Sequence, residues 1–138
     1  MPLHWNQAYR TGFKTIDNQH KRLFDCVNEM EDLLNQDEIS ETKVKILTKF
    51  LTSYVKGHFM YEESCMSKHQ CPVSKQNKKA HTRFIKFYKE SMDTYKAEGP
   101  SREWLIRLHD TAEEWLVIHI CRIDVQLRSC SRHRVLEI

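Results

Sequence analysis

The chain has 138 residues, a net charge of +3, and only three glycines and three prolines. This length suits a single domain, 1–138, with a core of its own, and the composition is typical of an all-α protein. The weak positive charge gives no reason to expect nucleic acid as a partner, and no apolar run is long enough to span a bilayer.

Helical periodicity divides the chain into four segments behind an N-terminal arm. Apolar residues recur at steps of three and four in each segment, which is the spacing of amphipathic helices. The predicted helices cover about 16–36, 40–67, 72–97 and 101–128. Because the connections are short, we predict an up-down-up-down antiparallel four-helix bundle. The first residues, to about 14, lack this pattern and are predicted to lie across the bundle as an arm.

The cysteines bear on the redox compartment. There are five of them, an odd number, with no Cys-x-x-Cys pair and no secretory leader in the sequence. This usage is typical of reduced thiols in a cytosolic protein, so we expect a cytoplasmic location. The cysteines expected to be free are Cys26, Cys65, Cys71, Cys121 and Cys130.

Polar residues interrupt the apolar stripe of every predicted helix. They are His20; His58 and Glu62; Asn77 and His81; and His119 with Asp124. Those on the first and third helices lie near the helix starts, and those on the second and fourth lie near the ends. Antiparallel packing therefore brings them to one level of the bundle. Uncompensated burial of such a set would cost many kcal/mol, and bound metal would offset that cost.

Asp124 fits this set only under a condition. It follows His119 by five residues, which is about 140° around an ideal helix. We therefore expect it to reach the site only by a long approach or through a local distortion of the fourth helix.

The types of ligand limit which metals this site would bind. Imidazole and carboxylate without thiolate suit iron, manganese or zinc, and two carboxylates among histidines suit two ions that share ligands. The Glu-x-x-His pattern of ferritin-like centres is absent from the sequence. A histidine-rich site favours binding of a diatomic molecule, and apolar residues within one turn of the ligands predict a gas pocket. These residues are Leu23, Phe59, Trp115, Leu116 and Ile120.

An ordered set of short motifs spans residues 5–125. It comprises Tyr9-Arg10-Thr11-Gly12, Ile16-Asp17-Asn18-Gln19-His20, Tyr54-Val55-Lys56-Gly57-His58-Phe59 with Glu62-Glu63, His81-Thr82-Arg83-Phe84, and Trp115-Leu116-Val117-Ile118-His119-Ile120 with Asp124. Together these motifs resemble a bacterial hemerythrin. The resemblance implies a non-haem, oxo- or hydroxo-bridged di-iron centre that binds O₂ reversibly, for oxygen transport, storage, delivery or sensing. The resemblance therefore favours an oxygen-binding protein over an enzyme, without deciding the question.

The resemblance also implies roles for the site residues. His20 and His58 match the ligands of an iron that keeps an open position for O₂. His81 and His119 match two of the three histidines on the other iron, while Glu62 and Asp124 match the bridging carboxylates.

Asn77 departs from the family pattern, which has a histidine four residues before His81. Three outcomes are open: Asn77 ligates through its carbonyl oxygen, water takes the position, or that metal is weakly held or absent. Replacement by His69 is not favoured, because His69 lies near the end of the second helix.

Two other functions compete with oxygen binding. One is a di-iron redox enzyme or an NO- or peroxide-responsive protein whose site is more open because of Asn77. The other is a non-catalytic helical domain with a zinc or purely structural site. The sequence also leaves room for a signalling or redox partner, which it does not identify.

Overall fold

The computed structural model describes residues 2–130, so residue 1 and residues 131–138 of the predicted domain lie outside it. Four α-helices and two short 3₁₀ turns form the described chain, and this part contains no strand. The helices are α1 (Lys14–Leu34), α2 (Glu41–Lys68), α3 (Ser74–Glu98) and α4 (Arg102–Arg122), and the 3₁₀ turns are Gln7–Tyr9 and Asp124–Gln126.

Each helix packs against two neighbours. Consecutive helices are in contact, and α4 closes the ring against α1. One face of each helix is buried, which confirms the predicted four-helix bundle. None of the described helices is both long and apolar enough to cross a membrane.

The N-terminal arm joins α1 through a buried turn. The helix begins at Lys14, two residues before the predicted start, and no side chain caps it. Instead the Asp17 carboxylate accepts hydrogen bonds from the backbone N–H and the hydroxyl of Thr11, both at 2.8 Å. Gly12 between them has a φ of +90°, a conformation that favours glycine. The arm is therefore fixed immediately before the first site residue on α1.

The fourth helix ends six residues earlier than predicted. It stops at Arg122, and Ile123 has a φ of −116° and a ψ of −59°, outside ideal helical geometry. The 3₁₀ turn Asp124–Gln126 follows, and residues 127–130 are helical again. The prediction of a continuous helix to residue 128 is wrong, because the helix breaks at Ile123. The break turns Asp124 into the bundle, where it is 1% exposed.

Two of the five cysteines are not free. Cys71, in the loop between α2 and α3, forms a disulfide with Cys130, and their Cα atoms are 5.6 Å apart. The prediction of five reduced thiols is therefore wrong for this pair, although Cys26, Cys65 and Cys121 are free. Proximity of residues 59 positions apart depends on how the helical residues 127–130 pack beside the loop, and the local sequence does not encode it.

Arg102 forms hydrogen bonds at the C-terminus of α1, the end that lies away from the polar cluster. Its guanidinium donates hydrogen bonds to the carbonyl oxygens of Leu34, Gln36 and Asp37, at 2.7, 2.8 and 3.1 Å. Carbonyls at a helix C-terminus lack intrahelical partners, and a cationic donor there also interacts favourably with the helix dipole.

We predict that Arg102→Ala lowers the free energy of unfolding by about 1 kcal/mol, since these bonds are charge-assisted but partly solvated. Urea unfolding followed by circular dichroism measures the change. Arg107→Ala is the matched control, because Arg107 is an exposed arginine on the same helix, and it should change the free energy by less than about 0.5 kcal/mol. Equal effects would contradict a capping role.

Candidate metal centre

All seven predicted site residues meet at one end of the bundle. They come from α1, α2, α3, α4 and the turn after α4, and none is more than 4% exposed. The residues are His20, His58, Glu62, Asn77, His81, His119 and Asp124. The antiparallel arrangement places them at a single level, as their positions near helix starts and ends indicated.

Glu62 lies at the centre of this cluster. Its Oε2 atom is 3.1 Å from Nε2 of His20 and 3.5 Å from Nε2 of His58. Its Oε1 atom is 3.1 Å from Nε2 of His81 and 3.8 Å from Nε2 of His119. The carboxylate therefore directs one oxygen toward each of two pairs of histidines.

Asp124 repeats this arrangement from the other side. Its Oδ2 atom is 3.1 Å from Nε2 of His20, and its Oδ1 atom is 3.1 Å from Nε2 of His119. Each carboxylate thus spans both histidine pairs. This is the geometry of a bridging ligand, and it depends on the helix break at Ile123.

The donor atoms form two groups that can each hold a metal ion. One consists of His20, His58 and Glu62, and the other of Glu62, His81 and His119. Ligand atoms about 2.1 Å from an ion and at right angles to each other are about 3.0 Å apart. The separations of 2.8 to 3.8 Å between donor atoms in this cluster are close to that spacing.

Unsatisfied polar atoms provide a test of whether a metal fits. Nε2 of His81 and Oε1 of Glu62 are 3.1 Å apart and buried, yet neither has a hydrogen-bond partner. Oδ1 of Asp124 is buried without a partner as well. Facing lone pairs in a dry interior are costly unless a cation lies between them, so the residues fit a metal centre.

Two neighbouring residues orient the histidines. Nδ1 of His58 lies 2.7 Å from the side-chain oxygen of Gln19, and Nδ1 of His81 lies 2.9 Å from Oε2 of Glu63. With the Nδ1 proton donated outward, Nε2 presents its lone pair to the centre. The sequence alone did not predict these partners. The only signal in the sequence was their position beside a site residue, since Gln19 precedes His20 and Glu63 follows Glu62.

The buried charges also demand compensation. Burial alone would lower the pKa of His20 and of His119, but the nearby Asp124 and Glu62 carboxylates outweigh burial and raise both to about 9. For His58 burial dominates, and its pKa falls to about 3. Two carboxylates thus require positive charge beside them, as protons or as metal ions, while His58 remains a neutral ligand.

The side-chain amide of Asn77 lies inside the cluster. The residue is fully buried, its Oδ1 atom is 2.8 Å from Nε2 of His119, and its Nδ2 atom has no partner. His69 lies elsewhere: its Nδ1 is 2.9 Å from the carbonyl oxygen of Cys65, and its ring packs against Phe13. The oxygen of Asn77 therefore faces the histidine group of α3 and α4, and His69 does not replace it.

An apolar cavity of about 30 Å³ adjoins the cluster, which is enough space for a molecule of the size of water. Phe59 and Trp115 line it, and their rings stack on His81 and His119 at centroid distances of 3.8 and 4.4 Å. Four of the five predicted pocket residues line this cavity: Leu23, Phe59, Trp115 and Leu116. Ile120 is fully buried but does not line it.

A bundle with paired histidine groups joined by two carboxylates defines a class, the dinuclear metalloproteins of helical bundles. Comparisons with known proteins identify the family. The profile described as "Hemerythrin HHE cation binding domain" matches residues 11–127. The chain therefore belongs to the hemerythrin family, and it is a di-iron, oxygen-binding protein.

Individual relatives agree with this assignment. A bacteriohemerythrin of Pseudomonas aeruginosa (strain LESB58) is 28% identical over 99% of this chain and 86% of its own length. Hemerythrin subunit 1 of Golfingia vulgaris is 29% identical over 92% of this chain and 91% of its own. A crystal structure of wild-type hemerythrin superposes with a TM-score of 0.80, at 23% identity, over 94% of this chain and 98% of that chain, which supports the fold.

We predict that Glu63→Ala weakens metal retention by about 10- to 100-fold, because His81 loses the acceptor that orients its ring. Competition titration against an iron chelator measures the change. Glu90→Ala, an exposed glutamate on α3, is the control and should retain iron like the wild type. Unchanged affinity in Glu63→Ala would show that the hydrogen bond does not support the centre.

Proposed function

We propose that His20 and His58 hold one iron ion, that His81, His119 and the Asn77 oxygen hold the other, and that Glu62 and Asp124 bridge them. The single observation that carries this proposal is the division of each carboxylate between the two histidine groups. Bound there, the two iron ions would supply reversible O₂ binding. The first group has fewer protein ligands, so it leaves more room for O₂.

The apolar cavity supports a gas as the ligand. Its lining contains no charged side chain, and its volume of about 30 Å³ suits a diatomic molecule. Phe59 and Trp115 cover the faces of His81 and His119, which excludes water from the centre on that side. A small nonpolar molecule therefore enters this space more readily than an anion, which would lose its hydration there.

The same lining supports reversible binding over turnover. Reduction of bound O₂ to water needs a proton donor at the site. Cys26 is the one titratable residue among the lining residues, and burial raises the pKa of its thiol to about 11. Such a thiol is a poor acid at neutral pH. Family membership likewise does not favour the alternative of a redox enzyme or peroxide-responsive protein.

We also propose a cytoplasmic location. The free thiols Cys26, Cys65 and Cys121 support it, since such thiols persist in reducing compartments. In that setting a disulfide responds to the redox state of its surroundings.

We predict two iron ions per chain and a visible absorption band that appears in air, disappears under argon and returns with O₂. His58→Ala should lose the band, because it removes a ligand from the more open position. Iron analysis and optical spectra on the same samples measure both. His69→Ala, which alters a histidine outside the centre, is the control and should keep the band.

Two outcomes would refute the proposed function. One is wild-type protein that binds no more than one metal per chain. The other is a two-iron protein whose spectrum is the same in air and under argon.

The ligand role of Asn77 has its own test. We predict that Asn77→His slows iron release by about tenfold, equivalent to about 1.4 kcal/mol, because imidazole binds iron more strongly than an amide oxygen. Asn77→Leu keeps the size but removes the oxygen and should release iron faster than the wild type. Release measured with a chelator separates the variants, and equal rates for Asn77→Leu and wild type would show that the amide does not ligate.

A further inference from the structure

The Cys71–Cys130 disulfide joins two parts of the chain that flank the metal centre. Cys71 lies in the loop that leads into α3, which carries Asn77 and His81. Cys130 ends the described segment 123–130, which carries Asp124 at its start. The disulfide therefore closes this segment, called here the C-terminal clamp, over the end of the bundle that contains the site.

The clamp is also held by apolar packing, because Val125 and Ile123 are partly buried against the two core clusters. Leu127 is fully buried against Ile16, Met66 and Val73. Arg128 donates a hydrogen bond of 3.4 Å to the carbonyl oxygen of Ala8. Since α4 is interrupted at Ile123, no continuous helix fixes Asp124, and its position depends on what holds the clamp.

The disulfide borders a surface groove on one side, where Cys130 is 8% exposed. A surface groove of about 450 Å³ is lined by His69, Gln70, Pro72, Gln126, Ser129 and Cys130. Cys71 does not line the groove and is 5% exposed. Because Cys130 borders the groove and Cys71 does not, we expect an attacking thiol to react at Cys130, with the Cys71 sulfur as the leaving group.

We propose that the Cys71–Cys130 disulfide is a redox-controlled latch that holds Asp124 in the metal centre. The latch rests on the proposed function, because it assumes that Asp124 bridges two iron ions. The disulfide retains the bridging carboxylate, and reduction frees the clamp and loosens the metal. The redox partner is a dithiol reductant with a thiol small enough to enter the groove.

Reduction follows ordinary thiol–disulfide exchange. A thiolate of the reductant attacks Sγ of Cys130, the bond to Cys71 breaks, and a mixed disulfide forms. The second thiol of the reductant then displaces Cys130. Two electrons and two protons pass to Cys71 and Cys130, and the reductant becomes a disulfide.

The test measures iron release from the di-ferrous protein under argon, so that the reductant cannot change the oxidation state of the iron. A phosphine reductant should accelerate release to a ferrous chelator by about tenfold in wild type. Cys130→Ser should release iron at this faster rate without reductant and show no further response. Cys121→Ser, which removes an exposed free thiol, should behave like the wild type.

A second arm separates a positional role from a general loss of stability. Asp124→Asn alone should release iron faster than the wild type, and reduction should then add less than about twofold. Hydrogen exchange should show faster opening of 123–130 on reduction, in loaded and metal-free protein, with α2 unchanged.

Three results would overturn the latch: no Cys71–Cys130 crosslink by mass spectrometry in air-exposed protein, equal iron release before and after reduction, or equal acceleration in Asp124→Asn and wild type. If the protein binds two iron ions, either of the two iron-release results would overturn the latch but leave the proposed function intact. A wild type without iron would refute the proposed function, and hydrogen exchange would then decide whether the disulfide holds the segment.

Discussion

The structure depends on two carboxylates that are buried among four histidines. Glu62 and Asp124 are at most 1% exposed, and each directs one oxygen to each histidine pair. A carboxylate in that setting costs several kcal/mol unless positive charge lies beside it. Protons on His20 and His119 can supply the charge, as their raised pKa values indicate. Metal ions would supply it at atoms that otherwise have no partner. The bundle brings the donors together, and cations make their proximity favourable.

Regular helices alone do not complete the centre. His119 and Asp124 are separated by a step that an ideal helix would turn to different faces. The break after Arg122 places both on one site, at the cost of continuous helical hydrogen bonding. The described chain compensates for this break with the burial of Leu127 and the Cys71–Cys130 disulfide. The position of Asp124 therefore depends on a separately attached segment, whereas Glu62 is fixed within a helix of 28 residues.

Helical periodicity predicted the bundle and the residues that converge, because a ligand on a helix must share the apolar face that is buried. It also indicated that Asp124 reaches the site only by a long approach or through a local distortion, and it could not decide between them or give the break at Ile123. The partners of the second ring nitrogens, Gln19 and Glu63, could not be predicted. Whether a side chain crosses to the next helix depends on rotamers and interhelical distance. The disulfide could not be predicted either, because its cysteines are 59 residues apart and only the packing of the chain brings them together.

Asn77 changes the balance of the centre. If the two ions are held as proposed, a histidine there would give them two and three imidazoles. With asparagine each ion would have two imidazoles, and the second would have the amide oxygen in addition. The amide differs from imidazole in a second way. A histidine that ligates through Nε2 offers that ion nothing else, whereas Asn77 places both Oδ1 and an unpartnered Nδ2–H group inside the site. The same side chain can thus bind a metal weakly and donate a hydrogen bond to a ligand beside it. Loss of one imidazole is therefore also the gain of a buried donor inside the polar cluster.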